Sequence, residues 1–150
     1  IDATFLAMSG ILRLDKGDDI ASIMDLDDML PAPAQGAVGL EVRVGDEDMI
    51  KLLAPINHSE TEIIIRAERA FLKTLDGNCR TPIAALAGFD DGVLCLEGRV
   101  LSLDGQTFFE AGLEGNAGDP ESLGEEVGKI ILTSAGETFF EDLKREMEEG

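Results

Sequence analysis

The stretch that most constrains the fold is residues 68–83, which read ERAFLKTLDGNCRTPI. Apolar side chains recur at helical spacing up to Leu75, and a Gly-Asn pair then breaks the helix. Cys79 follows this break, and Pro82 comes three residues later. Because proline cannot continue a helix and favours extended backbone, we expect a strand to begin directly after it. The sequence therefore predicts a helix and a strand joined by a short, stiff loop that holds one thiol.

The helix that leads into this loop is predicted at residues 57–75. Its start has capping-box spacing, because residues 59–62 read SETE. His58, the only histidine, lies beside this start and is assigned a capping or surface role. The apolar side chains of the helix indicate a face packed in the core rather than a cofactor site: Ile63, Ile64, Ala67, Ala70, Phe71 and Leu75.

After the loop, the patterns predict an antiparallel meander followed by helices. The turn signals DDG and DG separate three runs of strand-forming residues, placed at 83–89, 93–103 and 106–113. Gly136 separates two helices, placed at 122–133 and 137–148. This order predicts an α+β fold, in which a three-stranded antiparallel sheet has helices packed on it.

The first 55 residues predict a different kind of structure. Residues 15–28 hold six Asp and predict a solvated helix and loop rather than a calcium loop, whose ligand order is absent. The remaining predictions are strands at 1–8 and 35–44 and helical turns at 9–14 and 49–53. These segments are expected to be strands and connections of sheets whose other members are missing, and the missing initiator Met points to a fragment or a processed chain.

Composition excludes several classes of function. The net charge of −19 repels nucleic acid and anionic membranes, and no run of 18 apolar residues exists. The two cysteines lie far apart in sequence, which predicts no disulfide framework and a reducing compartment. Together with one histidine they supply no zinc spacing, and neither G-x-G-x-x-G nor a Walker sequence is present. Cys95 alternates with apolar residues in a predicted strand and is expected to be a buried structural thiol.

From the residues alone, Cys79 has two interpretations. A thiol on a loop is more often inert than reactive. A Cys-His hydrolase would need His58 beside Cys79, but the predicted helix separates them by about 1.5 Å per residue along its axis.

Together with residues 30–41, LPAPAQGAVGLE, the stretch at 68–83 resembles porphobilinogen deaminase, also called hydroxymethylbilane synthase. The resemblance implies that Cys79 carries a dipyrromethane cofactor through a thioether, and that Gln35 and Gly36 border the cleft and contact pyrrole groups. It also implies that Arg13 binds a substrate carboxylate. No residue here matches the family's catalytic aspartate, so no catalytic residue and no metal ligand is assigned. Two positions depart from the family, because Asn78, which tolerates left-handed backbone, and Ala34 stand where glycine is usual.

The resemblance also implies an activity and a division of the chain. The family condenses four porphobilinogen molecules into hydroxymethylbilane, releasing ammonia, in porphyrin and heme biosynthesis. Residues 1–55 would be strand and helix segments from the α/β domains of a larger enzyme, namely the incomplete end of domain 2 and the return strand of domain 1. Residues 56–150 would be the cofactor-attachment domain. The expected partners are porphobilinogen, linear pyrrole intermediates and the missing N-terminal portion of a monomeric enzyme in the cytoplasm or plastid stroma.

With seven Arg and five Lys, the chain has few cations for the acetate and propionate arms of these pyrroles, so it is expected to be inactive alone. Two alternatives are a non-catalytic pyrrole-binding module and a structural fragment paired with its missing half.

Overall fold

The hydrophobic core lies between one face of a three-stranded sheet and two helices. The structure, a computed structural model, describes residues 2–26 and 28–149. Its elements in chain order are α1 (Met8–Arg13), α2 (Glu47–Leu53), α3 (Ser59–Thr74), β1 (Ile83–Asp90), β2 (Val93–Leu101), β3 (Phe108–Gly115) and α4 (Pro120–Glu149), with single 3₁₀ turns at Gly17–Asp19 and Ala54–Ile56. Within the described ranges, no helix is both long enough and apolar enough to cross a membrane.

The sheet has the strand order β1-β2-β3, and both neighbouring pairs are antiparallel. A two-residue turn joins β1 to β2, and both of its residues, Asp91 (φ 46°) and Gly92 (φ 83°), have left-handed backbone. Type I′ turns need this combination, which explains the DDG signal. Alternate side chains of β2 point to opposite faces, so Leu94, Leu96 and Val100 are buried under the helices and the residues between them lie on the open face.

Helices α3 and α4 cross closely because glycines occupy the contact. A Cβ atom at Gly124 would collide with the carbonyl oxygen of Ala67 and would lie 2.7 Å from the backbone nitrogen of Phe71. One turn later, a Cβ atom at Gly128 would lie 2.7 Å from Cβ of Thr74. Two glycines on one face of α4 therefore set the distance between the helices.

We expect Gly124→Ala to destabilise the fold by about 1–3 kcal/mol, because the added methyl group meets α3 backbone that cannot move aside alone. The matched control is Gly88→Ala in β1, where a Cβ atom would meet nothing within 4 Å. Chemical denaturation of the two variants gives the comparison. An equal loss of stability in both would contradict this account of the helix contact.

The predicted break at Gly136 is confirmed. Gly136 lies inside α4 with φ 76° and ψ 164°, so α4 consists of two helices joined at this residue. The second half returns to the core, where Leu143 is buried and Phe139 packs edge-on against Phe109 with ring centroids 5.0 Å apart. The last helix therefore covers the β3 side of the sheet.

The predicted α+β fold is confirmed, and the start of α3 differs from its prediction. His58 is the N-cap, because its Nδ1 accepts a hydrogen bond from the backbone N–H of Thr61 at 3.2 Å. The capping role assigned to His58 is therefore confirmed, and the capping box at residues 59–62 is wrong. Glu62 does not close such a box; its carboxylate accepts a hydrogen bond from the side-chain amide of Asn57 at 2.6 Å.

The predictions of strands at residues 1–8 and 35–44 are wrong for the residues that the structure describes. Ile1, the first residue of the first predicted strand, lies outside the described residues. Residues 2–7 and 35–44 pair with no strand, and α1 begins at Met8. A strand exists only when a neighbour takes its backbone hydrogen bonds, and no described segment does so here. The alternating apolar residues stay uncovered, and Val38 is 90% exposed.

Candidate functional site

The loop that holds Cys79 starts from a Schellman motif at the end of α3. Asp76 has left-handed backbone (φ 51°) and donates its N–H to the carbonyl of Lys73, and Gly77 donates to the carbonyl of Leu72 at 2.9 Å. A Cβ atom on Gly77 would lie 2.5 Å from Leu72 Cδ1 and 2.6 Å from Ile83 Cδ1. Close packing therefore favours glycine here, because a larger residue would push the ends of both side chains aside, while Asp76 supplies the left-handed turn.

Cys79 lies on a turn that two polar side chains hold. The backbone N–H of Asn78 donates to Thr81 Oγ1 at 3.1 Å, and the N–H of Arg80 donates to Asn78 Oδ1 at 2.9 Å. The N–H of Thr81 also donates to the carbonyl of Asn78. Asn78 does not use the left-handed backbone that was expected to replace the family's glycine; its side chain fixes the turn instead.

Arg80 ties this turn to the end of α4. Its Nη2 donates to the carbonyl oxygen of Met147 at 2.8 Å. A helix C-terminus has carbonyl groups without partners in the helix and carries partial negative charge, so a guanidinium is a favourable ligand for it. Cys79 itself is exposed and forms no disulfide. The result is an exposed thiol on a turn anchored from both sides.

This prediction applies to protein in which Cys79 carries no attached group, as shown by the unmodified mass of its peptide. We expect iodoacetamide to alkylate Cys79 several-fold faster than Cys95, because Cys79 is exposed. Cys95 is half-buried, and its thiol donates to the carbonyl of Val93 at 3.6 Å. Peptide mapping over time measures both rates, and the same reaction in urea should bring them together. Equal rates in the folded protein would contradict the exposed turn.

Gln35 and Gly36 lie on a turn that follows the segment at residues 30–34, which we call the strap. Leu30 is buried in the core, and the carbonyl of Pro31 accepts a hydrogen bond from the N–H of Ala85 at 3.0 Å. β1 is an edge strand, so the strap covers its free edge. Because proline has no N–H that could donate a hydrogen bond back to β1, the strap does not continue as a fourth strand.

Glu68 of α3 fastens the end of the strap. This side chain is the only buried charged one among the described residues, at 4% exposure. Its Oε2 accepts from the N–H of Ala34 at 2.6 Å, and its Oε1 accepts from the N–H of Ala87 in β1 at 2.8 Å. Charge-assisted bonds to backbone N–H groups offset much of the cost of burying a carboxylate.

Ala34 occupies a turn position at which glycine is favoured. The N–H of Gln35 donates to the carbonyl of Ala32, which places Pro33 and Ala34 at the centre of a β-turn, and Ala34 has φ 64°. Left-handed backbone at the third turn position favours glycine.

We therefore expect Ala34→Gly to stabilise the fold by about 0.5–1 kcal/mol, because relief of the left-handed strain exceeds the entropy that glycine adds to the unfolded chain. Ala32→Gly, two turn positions before the positive φ, is the control and should not stabilise. Denaturation midpoints measure both. Destabilisation by Ala34→Gly would contradict the turn geometry.

Beside the Gln35 turn, a groove of about 830 Å³ lies between residues 34–42, α2 and α3, and Arg66 and Arg69 line it. Arg66 also holds α4, because its Nε and Nη2 donate to the two carboxylate oxygens of Glu121 at 2.6 and 2.9 Å. This bidentate pair lowers the pKa of Glu121 and raises the pKa of Arg66.

The other predicted residues lie elsewhere. Arg13 is in the last turn of α1, a helix without buried residues, and no hydrogen bond or ion pair in the described ranges links it to Cys79 or Gln35. Cys95 is not buried as predicted, because its strand position faces the open side of the sheet. No group of three or more His, Cys, Asp or Glu within residues 2–26 and 28–149 is arranged to hold a metal ion.

Two family models match this chain. Residues 63–133 match the family model described as "Porphobilinogen deaminase, C-terminal domain", and residues 1–51 match "Porphobilinogen deaminase, dipyromethane cofactor binding domain". The chain belongs to the porphobilinogen deaminase family. It is 44% identical over 143 residues to a chloroplastic porphobilinogen deaminase of Pisum sativum, across 93% of this chain and 39% of the relative. It is 42% identical over 142 residues to the Moorella thermoacetica porphobilinogen deaminase, across 94% of this chain and 45% of that relative.

The resemblance stated from residues 30–41 and 68–83 is thereby confirmed. The chain spans about two fifths of the length of these porphobilinogen deaminase relatives. Gln35 and Gly36 fall within the match to the model named for cofactor binding, and Cys79 falls within the match to the C-terminal domain. The predicted residues are thus divided between the two family models.

Glu68 is the site-related residue that sequence reasoning missed. A signal was available, because Ile64, Glu68, Phe71 and Leu75 share one helix face at spacings of three and four. A carboxylate within an apolar face is buried only when it has partners. The sequence could not name those partners, since the strap and β1 lie 34 and 19 residues away.

Proposed function

We propose that this chain is part of a hydroxymethylbilane synthase, a transferase that condenses four porphobilinogen molecules into hydroxymethylbilane and releases ammonia. The observation that carries the proposal is the exposed Cys79 thiol on a turn anchored at the ends of α3 and α4. Membership of the porphobilinogen deaminase family supplies the reaction.

The Cys79 turn suits a thioether to a dipyrromethane cofactor. The thiol is exposed, unpaired with Cys95, and fixed by Asn78 and Thr81, so an attached group would be held at one place on the domain. In attachment, Sγ of Cys79 would bond to the methylene carbon of an azafulvene, which forms when porphobilinogen loses ammonia, and the thiol proton would pass to the pyrrole nitrogen. Once bound, the group supplies the pyrrole end that the first substrate unit joins.

Gln35, Gly36 and Arg13 are proposed to hold pyrrole groups. The amide of Gln35 both donates and accepts hydrogen bonds, and Gly36 lets a ligand approach the backbone because it has no side chain. Both residues lie on the exposed turn after the strap. The guanidinium of Arg13 suits a substrate carboxylate, since Arg binds carboxylates through two parallel hydrogen bonds.

The rest of the anion-binding cleft is proposed to come from the N-terminal portion of the same enzyme. Four arginines of this chain already have partners: Arg66, Arg80, Arg99 and Arg145. Residues 1–55 would be the end of domain 2 and the return strand of domain 1, with residues 56–150 as the attachment domain. The uncovered apolar side chains before residue 57, such as Val38 and Leu52, suit contact with that portion. No catalytic residue is assigned here, because the family's aspartate lies outside this chain.

The complete enzyme is proposed to act as a monomer in the cytoplasm or plastid stroma, with porphobilinogen and linear pyrroles as its ligands. The chloroplastic relative supports the second location. The charge of −19 disfavours nucleic acid and anionic membrane surfaces as partners.

The test is the intact mass of the complete gene product, a peptide map across Cys79, and an assay of porphobilinogen consumption. We expect a two-pyrrole adduct on Cys79 and turnover with ammonia release. Cys79→Ser should lack the adduct and lose turnover, because no other thiol is exposed among the described residues. Cys95→Ser is the matched control and should keep both.

Each contrary outcome has a distinct meaning. An adduct on Cys95 would overturn the residue assignment. A bound pyrrole without ammonia release would favour the non-catalytic binding module. Residues 1–150 expressed alone should show no sustained turnover, and turnover by that piece would contradict the proposed need for the N-terminal portion.

A further inference from the structure

We propose that Glu68 is a positioning residue, whose buried carboxylate holds the Gln35–Gly36 turn at a fixed place relative to the Cys79 turn. This role rests on the proposed function, because it concerns how one part of the pyrrole site is aligned with the other. Glu68 touches no substrate and would act only through the backbone groups that it binds.

The argument begins with the cost of burying this carboxylate. Glu68 is 4% exposed, and no Lys or Arg within the described ranges forms an ion pair with it. Two backbone N–H groups, of Ala34 and Ala87, are its partners. Burying a charge that only backbone donors stabilise is unfavourable in free energy. Removing one donor therefore lowers the stability of the fold by more than an average hydrogen bond contributes. The carboxylate therefore strongly favours the arrangement in which both N–H groups are present.

The second step is the position of these two donors. Ala85 and Ala87 direct their N–H groups to the free edge of β1, and the carbonyl of Pro31 takes the first. The strap then turns away at Ala34, so no strap carbonyl takes the N–H of Ala87. Oε1 of Glu68 takes this place, and its other oxygen holds the N–H of Ala34 where the chain leaves the edge.

The third step connects this contact to the thiol. Glu68 lies on α3, which leads into the Cys79 turn, and Ala87 lies on β1, which follows that turn. Ala34 directly precedes Gln35. One carboxylate thus joins both elements that bracket Cys79 to the turn that carries Gln35 and Gly36. Loss of either hydrogen bond leaves the Gln35 turn free to shift, while the fold keeps Leu30 and the Pro31 bond.

The test uses Glu68→Gln and Glu68→Asp in the complete gene product, with Glu60→Gln as the matched control on an exposed position of the same helix. Glutamine keeps the length but presents an NH₂ group to one of the two donors. Aspartate keeps the charge but is too short to reach both. We expect hydrogen exchange at the Ala34 or Ala87 amide to become at least about tenfold faster in both Glu68 variants and to stay unchanged in Glu60→Gln.

The kinetic readout separates positioning from plain stability. Both Glu68 variants should keep the Cys79 adduct and a cooperative unfolding transition, at a lower melting temperature than the wild type, with KM within about twofold. Their kcat should fall by about tenfold to a hundredfold, because a small misplacement of a binding group slows reaction more than it weakens binding. Faster exchange with unchanged kcat would overturn the positioning role.

A variant-free measurement remains if the substitutions prevent folding. In the wild-type protein, the Ala34 amide should be protected from exchange to a similar degree as the Ala87 amide, although it lies outside any helix or strand. Free exchange at Ala34 would overturn the contact itself. Absence of the adduct and of turnover in the wild type would overturn the proposed function, and this role with it. Since exchange reports the contact independently, the two failures are distinguishable.

Discussion

The burial of one carboxylate organises how the two parts of this chain meet. Glu68 lies within the apolar face of α3 and is surrounded by the core, so it needs hydrogen-bond donors from elsewhere in the chain. The donors are backbone groups of the strap and of β1. Because both bonds must be present for the charge to be tolerated, the position of the strap on the sheet edge is strongly determined.

Around this contact, small residues decide how closely the other elements approach. Gly124 and Gly128 allow α4 to lie against α3, and Gly77 allows the end of α3 to pack beneath the first residue of β1. The Cys79 turn inherits its position from this packing, and Arg80 adds a bond to the end of α4. The exposed Cys79 thiol thereby lies on a turn that is held by packing and by hydrogen bonds.

The elements after residue 57 could be predicted because their signals are local. The DDG turn, the break at Gly136 and the apolar stripe of α3 each follow from the conformational preferences of a few neighbouring residues. The strands predicted before residue 57 failed because alternation describes which face is buried but does not supply a neighbouring strand. The prediction that Cys95 is buried was wrong for a related reason, because alternation does not indicate which face of a three-stranded sheet the helices cover.

The sequence by itself determined the fold class, because its turn and helix signals are local, and the family, through the motifs at residues 30–41 and 68–83. The resemblance to that family then pointed to Cys79, Gln35, Gly36 and Arg13 as the residues to consider. Only the tertiary structure decided how the turns are held. It placed Glu68 between Ala34 and Ala87, Asn78 opposite Thr81, and the guanidinium of Arg80 on the carbonyl of Met147. The long-range contacts join residues 19 to 67 positions apart, and no local pattern specifies which distant backbone group will satisfy a given side chain.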